Sequence, residues 1–96
     1  MTKFIEERTV YVTIGTHAYR TTMGILINSA KAPSMVGISE SADIYQRMPD
    51  GTWHTLPIIN DREFKVIYNE LVAAYEDGNP DLVDQYQISI RHRLCI

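Results

Sequence analysis

The sequence has a single cysteine, Cys95, so no disulfide can form within the chain. This excludes the disulfide-stapled class of small secreted domains and favours a reducing compartment. No apolar run approaches the roughly 18 residues that a membrane-spanning helix needs, and the first residues lack the apolar stretch of a secretory signal. We therefore expect a cytoplasmic protein that does not cross a membrane.

Positive charge is also scarce. Nine Lys and Arg residues against twelve Asp and Glu residues give a formal net charge of −3. Nucleic-acid binding needs clustered positive charge, so we expect no nucleic acid among the partners. The 96 residues, 45% of them hydrophobic, predict one domain spanning 1–96 with one modest core.

Motifs for catalysis and cofactor binding are missing. The five glycines are too widely spaced for a phosphate-binding loop, and the three histidines lack the close spacing of a metal site. The segment GISES at 37–41 lacks the second glycine of a nucleophile elbow. We therefore predict no enzymatic activity, no cofactor and no metal.

The most informative stretch is a hairpin that leads into a helix. Pro49, Asp50 and Gly51 separate two alternating segments, and their conformational preferences predict a three-residue loop with a bulge at the glycine. Pairing Met48 with Thr52 then sets the register. The register predicts these opposite pairs: Arg47 and Trp53, Gln46 and His54, Tyr45 and Thr55, Ile44 and Leu56, Ala42 and Ile58.

A capped helix is predicted directly after this hairpin. Asn60 is suited to the N-cap and Glu63 to the reciprocal position of a capping box, while Gly78 and Pro80 favour termination. The helix should run over about 61–77. An apolar stripe recurs at helical spacing between these limits: Phe64, Ile67, Tyr68, Leu71, Ala74 and Tyr75.

The remaining segments predict strands. Alternation indicates strands at 9–14, 19–27 and 86–96, with one helical turn at 80–84. Val36 and Ile38 indicate either a short strand or a loop pinned to the core. The order β-β-β-β-α-β predicts an α+β fold, with a mainly antiparallel sheet of about five strands and one helix packed on one face.

The function is predicted from the aromatic residues of the hairpin. Tyr45, Arg47 and Trp53 share the predicted face away from the core, and these residue types are enriched at binding hot spots. We predict a non-enzymatic protein-binding domain that acts by steric occlusion of a partner protein, with a phage-type inhibitor of a host or defence protein as one concrete form. The three residues are the predicted anchors. The predicted polar rim consists of Asp50, His54, Arg91 and Arg93.

Two alternatives stay open. The first is a small-ligand-binding protein or minor enzyme with a site between helix and sheet, using His17, His54 or His92 with Tyr19 or Tyr86. The second is a structural homo-oligomer subunit, in which a sheet edge pairs with its own copy as a homodimer.

Overall fold

A computed structural model of the chain describes residues 3–27, 35–57, 59–86 and 88. Five strands come first: β1 Lys3–Ile14, β2 His17–Ile27, β3 Met35–Ile38, β4 Tyr45–Arg47 and β5 Trp53–Thr55. Two helices follow, α1 Asp61–Gly78 and α2 Pro80–Tyr86. All pairings are antiparallel, so the predicted α+β class with a five-stranded sheet is confirmed.

The sheet is organised around β2. One edge of β2 pairs with β1, and the other edge pairs with β4 at one end and with β3 at the other. β5 extends the sheet beyond β4. Because β3 and β4 lie end to end along the same edge of β2, residues 39–44 between them leave the sheet.

The predicted β4–β5 hairpin is confirmed in both loop and register. Tyr45 lies opposite Thr55, Gln46 opposite His54, and Arg47 opposite Trp53. The loop closes through the Met48 N–H, which donates to the Thr52 carbonyl at 2.7 Å, and Gly51 has a φ of 89°. A positive φ favours glycine, because a Cβ would clash with the backbone there. The predicted pairing of Ala42 with Ile58 lies outside the described residues.

The predicted N-cap of α1 at Asn60 is confirmed, but among the described residues the Asn60 backbone N–H forms no bond with the Glu63 side chain, the other half of the predicted capping box. The Asn60 Oδ1 accepts the Glu63 backbone N–H at 2.8 Å. At the other end the helix extends through Gly78, and Asn79 caps it. The Asn79 backbone N–H donates to the Glu76 carbonyl at 3.2 Å, and its side-chain amide donates to the Tyr75 carbonyl at 2.8 Å.

The core lies between α1 and one face of the sheet. It is formed by these buried side chains: Val10, Tyr19, Met23, Ile25, Val36, Ile44, Ile67, Leu71, Val72, Tyr75 and Ile88. The buried stripe of α1 is wider than the predicted one, because Val72 and Glu76, one turn apart, are also buried. Within the described residues, neither helix is both long and apolar enough to cross a membrane.

The first residue of the predicted strand at 86–96 lies in a helix instead. Tyr86 is the last residue of α2, so the prediction was wrong at this position. Ile88 is buried in the core. The other positions of the predicted strand, including Arg91 and Arg93, lie outside the described residues.

Candidate functional site

The face of the sheet opposite α1 is the candidate functional surface, and we call it the outer face. Side chains on this face alternate with the buried ones along each strand. They are Thr9, Tyr11, Thr13, Ala18, Arg20, Thr22, Tyr45, Arg47, Trp53 and Thr55. In the part of the chain that the structure describes, α1 packs on β1, β2 and β3 from the core side, and no other element covers the outer face.

An arginine lies at the centre of this face, between two aromatic rings. The Arg20 Cζ is 5.1 Å from the centroid of the Tyr45 ring and 4.8 Å from that of Trp53. The Tyr11 ring meets the indole edge to face, with centroids 6.1 Å apart. We call Tyr11, Arg20, Tyr45 and Trp53 the Arg20 cluster.

The sheet register explains why these four side chains meet. Tyr11 lies directly opposite Arg20 in the β1–β2 ladder, and Arg20 lies directly opposite Tyr45 in the β2–β4 ladder. Side chains opposite each other on one face are close enough to touch, and diagonal neighbours are within reach of long or aromatic side chains. Trp53 is on β5, which does not pair with β2, and its indole extends across β4 to reach Arg20.

The electrostatics of the cluster leave the guanidinium available. No carboxylate among the described residues lies within ion-pair distance of Arg20. Each cation–π contact at an exposed site contributes about 0.5–1 kcal/mol, so the two rings together favour the observed position of the guanidinium. An arginine held in this way can form paired hydrogen bonds to a carboxylate with little further loss of side-chain freedom.

A depression of about 320 Å³ lies beside the cluster, where residues 39–44 leave the sheet, and we call it the notch. The Ser39 N–H donates to the Thr22 carbonyl at 2.9 Å, and the Thr21 hydroxyl donates to the Asp43 carbonyl at 2.8 Å. These bonds fix the segment at both ends. Ser41 has a φ of 66°, which is uncommon for a non-glycine residue. The lining includes Thr9, Tyr11, Arg20, Thr22, Ser41, Asp43 and Tyr45.

The structure separates the three predicted anchors. Tyr45 and Trp53 are half-buried members of the Arg20 cluster. Arg47 is on the same face but exposed, and its Nη2 lies 3.7 Å from where a side chain at Gly51 would begin. The guanidinium that lies over the indole is that of Arg20.

Sequence reasoning did not select Tyr11 or Arg20 as site residues. The available signal was their position on the polar faces of the first two strands. Combining that signal with the hairpin would have required the strand order, which the sequence does not specify. Tyr11 is the most exposed large hydrophobic side chain of the described residues, at 61%.

Two predicted rim residues stabilise the hairpin loop. The Asp50 Oδ1 accepts the Thr52 hydroxyl at 2.6 Å and the Thr52 backbone N–H at 2.9 Å. Both bonds hold the pKa of Asp50 below its ordinary value, and the bond from the hydroxyl has the larger effect. The His54 Nε2 lies 2.9 Å from the same hydroxyl oxygen. Because the Thr52 hydroxyl donates its proton to the bond with Asp50, its oxygen accepts a hydrogen bond from the Nε2–H of His54.

The predicted histidine sites are distributed over different regions. His54 lies opposite Gln46 in the register, but the Gln46 amide nitrogen lies 3.1 Å from the His17 Nδ1 instead. His92 lies outside the described residues. Within the described ranges, no three His, Cys, Asp or Glu side chains gather in an arrangement that would coordinate a metal ion.

Comparisons of this chain with protein-family models, with curated proteins and with solved structures find no match. The function is therefore argued from the geometry of the outer face.

Proposed function

We propose that the protein is a non-enzymatic protein-binding domain that uses the Arg20 cluster and the notch to bind an acidic segment of a partner protein. It acts by covering that segment and excluding other ligands from it. The observation that carries the proposal is an arginine stacked between tyrosine and tryptophan on an open sheet face, with no carboxylate partner among the described residues.

The residue types of the face fit this role. Tyr, Trp and Arg dominate binding hot spots, and such residues cluster near the centre of an interface. A standard interface takes about 800 Å² from each partner, roughly one eighth of this chain's 6532 Å² of accessible surface. An interface of ordinary size would therefore occupy a small part of the surface of the chain.

The charge around the cluster supports an acidic partner segment. Arg20 and Arg47 both lie on the outer face, and Asp43 at the rim of the notch is the one acidic side chain among the described residues that line the notch. Glu7 lies further along the same face, beside Gly24. A carboxylate from the partner would bind Arg20 through two parallel hydrogen bonds. Arg20 is half-buried beside these rings, and a charge pair formed there is stronger than one in open water.

The test is a quantitative capture from a lysate of the native host with four folded baits. These are the wild type, Arg20→Ala, Arg20→Lys and, as a matched control, Glu70→Gln on the exposed side of α1. The specific partner is the protein retained by the wild type and by Glu70→Gln and lost with Arg20→Ala. We expect Arg20→Lys to bind weakly as well, because lysine cannot supply the planar, two-pronged contact.

The purified partner then allows a direct measurement of the dissociation constant. Truncation of a hot-spot residue costs at least about 2 kcal/mol, so Arg20→Ala and Trp53→Ala should each weaken binding about thirtyfold. Affinity should also fall with added salt, since the contact is between charges. Equal binding by the wild type and both folded variants would refute the proposal.

A further inference from the structure

One long edge of the sheet is formed by β1. Among the described residues β1 pairs only with β2, and no strand lies along its other edge. Water can satisfy the backbone groups of any such edge, so an open edge alone does not indicate a partner. Proteins usually protect long edges from pairing with charged side chains, proline, bulges or short strands. The protection of β1 therefore decides whether this edge is suited to pairing.

This protection is confined to the N-terminal part of β1. The register with β2 is irregular before Arg8, and the Glu6 carbonyl accepts the Tyr75 hydroxyl at 2.6 Å. From Arg8 to Ile14 the ladder is regular, and residues 9–14, TVYVTI, include no charged residue and no proline. At the opposite edge of the sheet β5 has three residues only. The regular part of β1 is thus the longer and less protected edge.

The backbone groups that point to this edge follow from the ladder. Successive residues of an antiparallel strand direct their N–H and C=O alternately to one neighbour and to the other. The Thr22 carbonyl accepts the Ser39 N–H at 2.9 Å, on the side of β2 away from β1. Thr22 is therefore not hydrogen-bonded to Thr9, which lies opposite it in β1. Thr9 directs its N–H and C=O to the open edge, and the alternation adds Tyr11 and Thr13.

The sequence of the open edge is a palindrome. Residues 9–13 read TVYVT in both directions. Tyr11 at the centre of the palindrome is also the midpoint of the regular segment from Arg8 to Ile14. In two copies aligned antiparallel about Tyr11, every valine lies opposite a valine and every threonine opposite a threonine. Such pairs stabilise adjacent strands, and a two-fold interface requires a surface that complements itself in this way.

Apolar surface is exposed at the same place. Tyr11 is 61% exposed although one edge of its ring system contacts Trp53. Val12 and Ile14, on the core face of the strand, are only half-buried. A strand beside β1 would cover part of each of these side chains, and removing apolar surface from water favours association.

We propose that two copies of this chain pair antiparallel through β1 and form one continuous sheet with its two-fold axis at Tyr11. The backbone of Tyr11 bonds to Tyr11 of the partner subunit, and that of Thr9 bonds to Thr13 of the partner subunit. Both outer faces then lie on the same side of the sheet. The strand spacing separates the two Arg20 positions by about 14 Å, so one acidic segment can contact both clusters. The pairing itself does not depend on the proposed protein-binding function.

Sedimentation velocity measures the association. An interface of one strand pair is small, so the measurement covers protein concentrations from about 5 μM to about 500 μM. We expect a reversible monomer–dimer equilibrium and no larger species, because a two-fold interface closes on itself. A monomer at every concentration would overturn the proposal.

Charged side chains at the exposed Thr9 and Thr13 test the register. Thr9→Lys with Thr13→Lys places lysine opposite lysine on both sides of the axis and should weaken dimerisation about tenfold. Thr9→Lys with Thr13→Glu places lysine opposite glutamate and should dimerise about as well as the wild type. Thr55→Lys with Glu70→Gln changes the net charge as much as the double lysine variant, but away from β1, and should have no effect. Equal dimerisation of the two Thr9/Thr13 variants would contradict the register.

Amide hydrogen exchange followed by NMR identifies the surface used. The Tyr11 amide should be protected in the dimer and should exchange rapidly at concentrations where the monomer dominates, whereas Val10 and Val12, bonded to β2, should be protected in both states. Tyr11 protection that does not vary with concentration would mean another occupant of the edge. Rapid Tyr11 exchange in a dimer would mean another interface, and either result would overturn the proposal. Arg20→Ala should dimerise like the wild type, so this proposal and the proposed function fail separately.

Discussion

Tyr75 connects α1 to the irregular part of β1, and removing its hydroxyl tests how that irregularity is stabilised. The side chain is fully buried, and its hydroxyl donates to the Glu6 carbonyl at 2.6 Å. Glu6 lies where the β1–β2 register shifts, between Ile5 and Arg8, and its φ is 52°. A non-glycine residue in this conformation costs about 1 kcal/mol, so the bulge depends on contacts from outside the strand.

The expected magnitude follows from what Tyr75→Phe removes. The ring stays in place, and the lost hydrogen bond contributes about 0.5–1.5 kcal/mol to stability. Leaving a buried carbonyl unpaired would add to that cost, but Glu6 is exposed, so water can replace the hydroxyl. We expect a loss of about 1 kcal/mol in the free energy of unfolding, equivalent to roughly 4–8 °C in Tm for a domain of this size.

Urea denaturation followed by Trp53 fluorescence measures this loss, because the chain has one tryptophan. Tyr11→Phe is the control, since its phenol is exposed.

Burial is the main cause that raises the folded-state pKa of Tyr75 above 10.0. Above that pH the unfolded chain loses a proton that the folded chain retains, so stability falls as pH rises. Between neutral and strongly alkaline pH, the free energy of unfolding of Tyr75→Phe should therefore fall by less than that of the wild type. An unchanged urea midpoint at neutral pH would refute the reasoning.

Three further substitutions test local packing by the same denaturation assay. A Cβ at Gly24 would lie 2.9 Å from the Ile5 carbonyl oxygen, so Gly24→Ala should destabilise by about 1–3 kcal/mol. At Gly78 a Cβ would meet nothing within 4 Å, so Gly78→Ala should instead stabilise by about 0.5–1 kcal/mol. If Gly24→Ala and Gly78→Ala changed the stability by similar amounts, the close approach at Gly24 would be contradicted. The buried Ser39 hydroxyl has no hydrogen-bond partner among the described residues. Ser39→Ala should therefore stabilise by up to about 1 kcal/mol, and a destabilised variant would show that the hydroxyl is used.

The hairpin and the start of α1 could be predicted because their signals are local. The conformational preferences of Pro49, Asp50 and Gly51 determine the loop, and the loop determines the register of the strands beside it. Asn60 forms its capping bond with a residue three positions away. No information about the rest of the chain is needed for either feature.

The Arg20 cluster could not be predicted in this way because it depends on which strand lies beside β4. The register correctly placed Arg47 opposite Trp53, but that position is at the loop end of the hairpin. Arg20 reaches the indole from β2, a strand more than twenty residues earlier in the chain. Pairing between distant strands is decided by packing of the whole core, which local patterns do not encode.

The error at Tyr86 arose because the local pattern fits both a strand and a helix. Alternation from Tyr86 onwards fits a strand, but Leu82, Val83 and Tyr86 also recur at helical spacing. All three pack against the core from α2. Short apolar patterns of this kind fit either period, and tertiary packing decides between them.

The end-to-end arrangement of β3 and β4 separates the scaffold from the part of the molecule that varies most easily. Each of these strands is anchored to β2 by its own ladder, and residues 39–44 span the interval with separate bonds to the strand beneath. Insertions or substitutions within residues 39–44 would change the shape of the notch without changing the register of β3 or β4 on β2. Such changes would alter the surface beside Arg20 while the sheet beneath it stays the same, because loops tolerate change better than the strands that carry them.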